Sequence, residues 1–202
     1  MSHPQLDIFG ADAAGAGPAL PEGFRYEPDV VSPAHEQALV PQLQALPFHD
    51  FDFHGYRGKR RVVSYGWRYD FDAEALRRAD AVPPFLRALR EVAAAFADVA
   101  PARLEQVLVT EYAAGAAIGW HRDKAVFDDV VGLSLLAPCV FRLRRPAGAT
   151  WGRVSLTAAP RSAYLLRGPA RTEWEHSIPA VDALRYSVTF RSLRAVRPDG
   201  GR

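Results

Sequence analysis

The chain has 202 residues, of which 49% are hydrophobic and 24% are charged, and this is the size and composition of one globular domain with a sizeable core. Its formal net charge of +2 argues only weakly for a polyanionic partner, so local clustering of charge must decide that question. The single cysteine, Cys139, excludes an intramolecular disulfide framework and a cysteine-based zinc finger. No apolar run approaches the roughly 20 residues that span a bilayer, and no secretory signal is recognisable. We therefore expect a soluble, cytoplasmic protein with no membrane partner.

Two helices are predicted before residue 100. Residues 1–20 are rich in Ala, Gly and Pro and show no periodicity, which predicts a flexible leader. Ser32 followed by a proline is typical of a helix N-cap, and we expect this first helix to end by Pro47 and to be disturbed or split at Pro41. Proline at the start and apolar spacing predict a second helix over residues 83–97.

After residue 104 the pattern changes to a period of two and to short apolar runs, which indicate strands. The predicted strands cover residues 61–65, 106–112, 119–121, 130–136, 139–144, 153–156, 163–167 and 185–192. Helices followed by many short strands favour an α+β fold with a jelly-roll double sheet as its core. We expect one domain over residues 21–195, followed by a tail at residues 196–202.

The most informative motif is the run from Gly119 to Lys124. Residues two apart on a strand point to the same side, so His121 and Asp123 can face one point. A second imidazole from His176 would complete two histidines and one carboxylate on one face of a metal, the usual holder of non-haem Fe(II) in oxygenases. A lone His-x-Asp is more often a surface turn, and the combination with His176 favours the metal site.

A polar and cationic ladder supports the metal interpretation. If residues 185–191 form a strand, one face carries Arg185, Ser187, Thr189 and Arg191, and the other face is apolar. Such a ladder beside a metal suits a dicarboxylate co-substrate. The alternative is a solvated strand face with ion pairs, which is less favourable because arginine on an apolar strand is costly unless it is partnered.

Several motifs then occur in a familiar order. They are Glu111-Tyr112 with Gly115, residues 118–124, 131–135, 139–142 and 174–179, and the run 185–191. Over residues 45–194 the chain resembles the AlkB family of Fe(II)- and 2-oxoglutarate-dependent dioxygenases. The resemblance implies the cofactors Fe(II), 2-oxoglutarate and O2, and oxidative removal of alkyl groups from nucleobases with release of formaldehyde.

The resemblance assigns roles to individual residues. The implied iron ligands are His121, Asp123 and His176, and the implied 2-oxoglutarate contacts are Thr110, Tyr112, Arg185, Ser187 and Arg191. Arg185 resembles the arginine that pairs with the distal carboxylate, and Tyr112 the tyrosine whose hydroxyl bonds it. Thr110 and Ser187 stand where many members have asparagine, and both retain hydrogen-bonding capacity. Ala125 stands where well-known members carry an acidic residue that helps to recognise the damaged base.

Aromatic and basic residues are concentrated between residues 48 and 71. An enzyme that modifies a base must take it out of the stack and hold it between flat side chains. By position relative to the family's nucleotide-recognition lid, the implied base contacts are Trp67, Tyr69 and Phe71, and the predicted phosphate contacts are Arg57, Lys59, Arg60 and Arg61. The alternative is that the aromatic residues are core and the charges are a solvated hairpin. A second basic group, Arg142, Arg144, Arg145 and Arg153, is predicted to line the same groove, and the alternative is that it forms the outward face of an edge hairpin.

These features predict a monomeric dioxygenase that demethylates bases such as 1-methyladenine and 3-methylcytosine. Single-stranded DNA or RNA is the expected partner, because extrusion from a duplex costs extra energy. One alternative is the same chemistry on a protein or a small molecule, and another is a non-enzymatic nucleic-acid-binding module with a structural metal. A zinc hydrolase could use similar ligands, but it would not need the arginine ladder.

Overall fold

The computed structural model of the chain describes residues 20–53 and 56–194, without the side chains of residues 52–53 and 56–58. The predicted leader, apart from Leu20, and the predicted tail lie outside the described residues. The helices are α1 (Pro33–Gln44), α2 (Pro84–Ala97) and α3 (Gly168–Thr172), with one 3-10 turn at Pro101–Arg103. The strands are β1 (Phe24–Glu27), β2 (His49–Phe53), β3 (Tyr56–Tyr65), β4 (Trp67–Asp70), β5 (Ala75–Arg78), β6 (Leu104–Tyr112), β7 (Ile118–His121), β8 (Phe127–Leu135), β9 (Cys139–Ala147), β10 (Thr150–Ala158), β11 (Ala163–Leu166), β12 (Glu175–Ile178) and β13 (Arg185–Leu193).

These strands form two facing sheets and a separate hairpin. The large sheet has seven strands in the order β1-β11-β8-β13-β6-β3-β2, and the small sheet has four in the order β10-β9-β12-β7. Strands β4 and β5 pair only with each other among the described residues. All pairings are antiparallel. The predicted α+β class with a jelly-roll double sheet is confirmed.

Two apolar clusters separate the fold into three layers. The first packs α1 and α2 against the outer face of the large sheet, with Leu43 and Leu89 fully buried against residues such as Val109 and Phe190. The second fills the space between the sheets, where Phe141 from β9 meets Tyr164 from β11 with ring centroids 4.5 Å apart. The inner face of the large sheet therefore looks into the space between the sheets.

The first helix illustrates how packing overrides local propensity. Ser32 is its N-cap, and the Ser32 hydroxyl accepts a 3.1 Å hydrogen bond from the backbone N–H of His35. The helix ends at Gln44 and runs through Pro41 without splitting. Leu39 and Leu43, on either side of the proline, are both buried, so their packing offsets the backbone hydrogen bond that the proline cannot donate.

Several elements extend beyond the sequence pattern that predicted them. Strand β10 covers Thr150–Ala158, where the sequence predicted only residues 153–156. Strands β1, β2, β4 and β5 and helix α3 were not predicted at all, because four or five residues show too little periodicity to be recognised. No helix in the described part of the chain is long and apolar enough to cross a membrane.

A glycine in β8 generates the first testable prediction. A Cβ added at Gly132 would lie 2.1 Å from Cζ of Tyr164, a buried ring, whereas one added at Gly119 would meet nothing within 4 Å. We expect Gly132→Ala to lower the free energy of unfolding by about 1–3 kcal/mol through overpacking. Gly119→Ala, the matched control, should leave it nearly unchanged. Thermal and urea denaturation followed by circular dichroism measure both, and equal stabilities would contradict the close packing of Tyr164 on β8.

Candidate metal and co-substrate site

A pocket lies between the two sheets and receives polar side chains from both. The small sheet and the loop after β7 contribute His121, Asp123 and His176. The large sheet contributes Arg60, Thr110, Tyr112, Ser187, Thr189 and Arg191. Phe141 and Ile178 add apolar surface. Polar groups converge here within an otherwise apolar interior, which is typical of a binding site.

The three predicted iron ligands are brought together. His121 on β7 and His176 on β12 are register partners in the small sheet, and their ring centroids are 4.2 Å apart. Asp123 lies beyond the end of β7, so the following loop positions it rather than the alternation of a strand that we had assumed. Its Oδ2 is 3.8 Å from Nε2 of His176. The structure thus gathers two imidazoles and one carboxylate at one place.

The low pKa values of both imidazoles favour metal binding. Burial, reinforced by the nearby His121, lowers the pKa of His176 to about 3, and burial also lowers the pKa of His121. Both rings are therefore neutral near pH 7, as metal ligation requires. Nδ1 of His121 lies 2.9 Å from the Gly119 carbonyl oxygen, and a proton on Nδ1 would leave Nε2 free to bind a metal.

Asp123 supplies the direct test of whether these residues fit an ion. Burial alone would raise the pKa of Asp123, but the Arg191 guanidinium holds that pKa well below its usual range. Oδ1 accepts a 2.8 Å hydrogen bond from Arg191 Nε, whereas Oδ2 is buried without a hydrogen-bond partner in the described structure. A buried, ionised oxygen without a partner is costly unless a cation binds it. The residues therefore fit a divalent metal such as Fe(II).

The donor atoms are close but not yet at coordination distance. Two ligands at about 2.1 Å and a right angle around one metal lie about 3 Å apart, which is less than the 3.8 Å between His176 Nε2 and Asp123 Oδ2. Accordingly, no group of three or more His, Cys, Asp or Glu side chains among the described residues is already arranged to hold an ion. A shift of less than about 1 Å would bring His176 Nε2 and Asp123 Oδ2 to that separation.

Arg185 lies at the start of β13, deep between the sheets. It is 1% exposed, and its Nη2 donates a 2.7 Å hydrogen bond to the Ser134 hydroxyl. Nε and Nη1 have no hydrogen-bond partner, and no carboxylate of the described chain forms an ion pair with this guanidinium. Its Cζ is 4.9 Å from the ring centroid of Tyr112, which lines the pocket. An unpaired buried guanidinium is suited to a carboxylate ligand.

The other predicted co-substrate contacts share this wall. Thr110 on β6 and Ser187 on β13 are register partners, both are buried, and both line the pocket. Tyr112 is the register partner of Arg185. Arg191 differs from Arg185 because its charge is already compensated by Asp123 at 2.7 Å, and its Nη1 donates to Gln106. Of the two arginines on this face of β13, Arg185 is therefore unpaired, whereas Arg191 orients Asp123, the predicted metal ligand.

The β4–β5 hairpin places two of the three predicted base contacts beside the metal loop. The rings of Tyr69 and Phe71 meet edge to face, with centroids 5.2 Å apart. Nζ of Lys124, the residue after Asp123, lies 4.9 Å from the first ring centroid and 5.1 Å from the second. Trp67 is engaged elsewhere, because the Arg78 guanidinium lies 4.0 Å above its ring.

The four predicted phosphate contacts separate into different environments. Arg57 has its side chain outside the described residues. Lys59 is exposed, whereas Arg61 is paired with Glu111 at 2.7 Å. Arg60 requires a correction, because it is only 9% exposed and lines the pocket instead of an outer surface. Successive residues of a strand alternate between faces, so Arg60 turns inward while Lys59 and Arg61 turn away.

The second basic group does not line the groove, and that prediction was wrong. Arg142 and Arg144 pair in register with Ser177 and Glu175, the neighbours of His176 in β12. Because His176 faces the pocket, these arginines occupy the outer face of the small sheet. Both guanidiniums lie over the Trp120 ring, at 5.0 and 4.4 Å.

Three further residues of the site were missed from the sequence. Tyr164 lines the pocket, and the isolated Gly132 within a strand, over which its ring packs, was the available signal. Gln106 holds Arg191. Arg171 is buried in α3 and donates from Nη2 to the backbone oxygens of Lys124 and Phe127, which fixes the loop that follows Asp123. No local sequence pattern predicts this contact, because Lys124 and Phe127 are more than forty residues away from Arg171.

Comparison with known proteins places this chain in a family. A family model described as the 2OG-Fe(II) oxygenase superfamily matches residues 23–191. The chain belongs to this superfamily. Members of this superfamily are Fe(II)- and 2-oxoglutarate-dependent oxygenases, which use Fe(II), 2-oxoglutarate and O2. The predicted resemblance to the AlkB family is confirmed by the curated relative that follows, and the solved structure shows the same fold.

The first relative is a curated protein from Arabidopsis thaliana, the alkylated DNA repair protein ALKBH8 homolog. This dioxygenase is 31% identical to it over 196 residues, and the match covers 84% of the chain and 55% of the relative. The chain thus spans about half the length of that relative. The second is the structure of OsALKBH1, which shares the fold with a TM-score of 0.63 at 17% identity, covering 87% of this chain and 99% of that chain.

The ion pair between Arg191 and Asp123 generates a prediction that does not depend on turnover. Arg191→Gln should lower the free energy of unfolding of the metal-free dioxygenase by about 3–5 kcal/mol, because it leaves a buried carboxylate uncompensated. Mn(II), used in place of Fe(II), should then raise the melting temperature of this variant more than that of the wild type, since the ion compensates the same carboxylate.

Arg145→Gln is the matched control, because it breaks an exposed bridge to Glu173 of 3.2 Å, and such bridges contribute little. Differential scanning fluorimetry with and without Mn(II) measures all three proteins. Equal Mn(II) shifts in wild type and Arg191→Gln would argue against Asp123 as a metal ligand. Arg191→Lys keeps the charge but cannot reproduce the paired guanidinium contacts to Asp123, so it should show a smaller shift in the same direction if the glutamine variant does not fold.

Proposed function

We propose that this dioxygenase oxidatively removes alkyl groups from N-alkylated nucleobases in single-stranded DNA or RNA, acting as a monomer. The observation that carries the proposal is the position of Tyr69, Phe71 and Lys124 beside the loop that holds Asp123. Aromatic rings and an ammonium at the entrance of an oxidation site suit a flat base attached to a phosphate backbone.

Each side chain has a distinct task in this proposal. His121, Asp123 and His176 would hold Fe(II), and Arg185 with Tyr112 would bind the distal carboxylate of 2-oxoglutarate. Thr110, Ser187 and Arg191 are the further proposed co-substrate contacts. Bound Fe(II) would supply the oxidation of the methyl group by O2. One oxygen atom of O2 would convert the N-methyl group to a hydroxymethyl group, and the other would be taken up as 2-oxoglutarate is converted to succinate and CO2. The hydroxymethyl group would then leave as formaldehyde, and its hydroxyl proton would pass to the ring nitrogen.

The fold shields the proposed iron ligands from solvent. His176 is 8% exposed and Asp123 has 6% of its side chain exposed, so bulk water is largely kept from the proposed iron. The charge of Asp123 is fixed by Arg191, and the Lys124–Phe127 loop by Arg171. A preorganised site of this kind limits uncoupled oxidation, and we assign no side chain as a general base.

The decisive test uses single-stranded DNA and RNA oligonucleotides that carry one N-methylated base each: 1-methyladenine, 1-methylguanine, 3-methylcytosine or 3-methyluracil. Mass spectrometry should show loss of the methyl group that depends on Fe(II), 2-oxoglutarate and O2. His121→Ala should abolish the loss because a ligand is removed. Succinate formation without a mass change for any oligonucleotide would keep the dioxygenase chemistry and favour a protein or small-molecule substrate.

A second test separates the proposed base contacts from the proposed co-substrate contact. Tyr69→Ala and Phe71→Ala should slow oligonucleotide demethylation about tenfold, because stacking on an aromatic ring contributes about 1–3 kcal/mol per base. Uncoupled succinate formation should be nearly unchanged. Arg185→Ala should instead raise the KM for 2-oxoglutarate in both reactions.

Trp151→Ala is the matched aromatic control for this comparison, since Trp151 is 40% exposed on β10, the edge strand of the small sheet opposite to β7, which carries His121. It should affect neither reaction. Equal losses of demethylation and succinate formation in the Tyr69 and Phe71 variants would show that these rings support the fold instead of the base.

A further inference from the structure

We propose that Arg60 is a stacking surface for the target base and makes the pocket select neutral, carbonyl-bearing alkylated bases over cationic ones. This inference rests on the proposed nucleobase function and specifies its substrate class. It differs from the expectation of 1-methyladenine and 3-methylcytosine, which both carry a positive charge near pH 7.

Arg60 is placed by the pairing of β3 with β6. It is the register partner of Tyr112, so both side chains lie on the inner face of the large sheet and both line the pocket. Its Cζ lies only 3.8 Å from the ring centroid of Phe51, which covers one face of the guanidinium. The Phe51 ring in turn meets Phe71 edge to face, with centroids 5.9 Å apart. Arg60 thereby continues the aromatic wall of the hairpin towards His121.

The guanidinium of Arg60 carries an uncompensated charge. It is buried, and within the described part of the chain it forms no ion pair. Asp123 is the sole acidic residue among the described residues that line the pocket, and Arg191 already neutralises it at 2.7 Å. Arginine retains its charge even when it is buried. Any base that enters the pocket therefore meets a fixed positive charge.

Lys124, the residue after Asp123, adds a second cation over the rings of Tyr69 and Phe71. Ala125 follows it, in the position where related enzymes were expected to carry an acid. Asp123 is the one acidic residue that lines the pocket in the described chain, and Arg191 already pairs with it. Two fixed cations therefore repel a cationic base, and this repulsion is strong when water is partly excluded. The Lys124 ammonium is a donor only, so a carbonyl oxygen on the base suits it and an exocyclic amino group does not.

Matched bases isolate this effect. 3-Methyluracil and 3-methylcytosine have the same ring size and the same methylated nitrogen. They differ at the exocyclic atom of C4, which is a carbonyl oxygen in the neutral uracil and a nitrogen in the cationic cytosine. 1-Methylguanine and 1-methyladenine are a similarly related purine pair. A preference within either pair therefore reports charge and hydrogen bonding more than shape.

The experiment compares the iron-loaded protein on two single-stranded oligonucleotides of one sequence that carry 3-methyluracil or 3-methylcytosine. Demethylation gives kcat/KM for each, and fluorescence anisotropy under anaerobic conditions with Mn(II) and 2-oxoglutarate gives each Kd. We expect both measurements to favour 3-methyluracil by about tenfold or more, given the size of like-charge repulsion at a partly buried site. Arg60→Gln, which retains a planar side chain without the charge, should reduce this ratio about tenfold.

Two further variants keep the interpretation specific. Arg60→Lys keeps the charge and should keep the preference, even if stacking is weaker. Lys59→Gln removes the adjacent charge, which is exposed and on the other face of β3. It should weaken the binding of both oligonucleotides by the same factor. Faster demethylation and tighter binding of 3-methylcytosine by the wild type, or an unchanged ratio in Arg60→Gln, would overturn the inference.

Failure of this inference is distinguishable from failure of the proposed function. Demethylation of 3-methylcytosine alone would overturn the inference and leave the function standing. If neither oligonucleotide loses its methyl group, the function fails for these bases, and the two Kd values by themselves decide whether Arg60 discriminates by charge.

Discussion

Strand β13 lies between β6 and β8 at the centre of the large sheet, and its two faces set both the core and the candidate site. Tyr186, Val188 and Phe190 point towards the helices and are 0–1% exposed. The alternate residues face the space between the sheets, where Ser187, Thr189 and Arg191 line the pocket and Arg185 lies against the ring of Tyr112. Because side chains alternate strictly along a strand, a slip of one residue would exchange these faces and bury the arginines in the apolar layer. The apolar layer therefore fixes the register that the candidate site needs.

Charge in the pocket is unevenly compensated, and this unevenness indicates where ligands bind. Asp123 and Arg191 neutralise each other, but one carboxylate oxygen is left without a partner on the side of the histidines. Arg185 and Arg60 have no acidic partner in the described chain. Burying such groups costs free energy that a folded protein normally avoids. An iron ion, a dicarboxylate and a carbonyl-bearing base are ligands that would offset these three separate costs.

The two sheets contribute different parts of the site. The small sheet and the loop after β7 supply the predicted metal ligands, whereas the large sheet supplies the predicted co-substrate contacts. The β4–β5 hairpin belongs to neither sheet. It contacts the loop that carries Asp123, because Nζ of Lys124 in that loop lies over the Tyr69 ring of the hairpin. The candidate metal and co-substrate residues are thus carried by the double sheet, whereas the proposed base contacts are carried by a separate hairpin, and sites placed on a common fold in this way allow one fold to serve different substrates.

The sequence by itself determined the second helix, the long strands of the double sheet and the list of candidate ligands. These follow from periodicity and from motifs that lie close together in the chain, such as residues 119–124. It did not determine that Asp123 is held by a loop, that Arg60 turns inward, or that Arg142 and Arg144 face away from the pocket. Each of these depends on strand register and on partners such as Tyr112, Phe51 and Glu175, which are distant in sequence. Only tertiary structure fixes them, because a local pattern can state that a side chain alternates but not which layer each face meets.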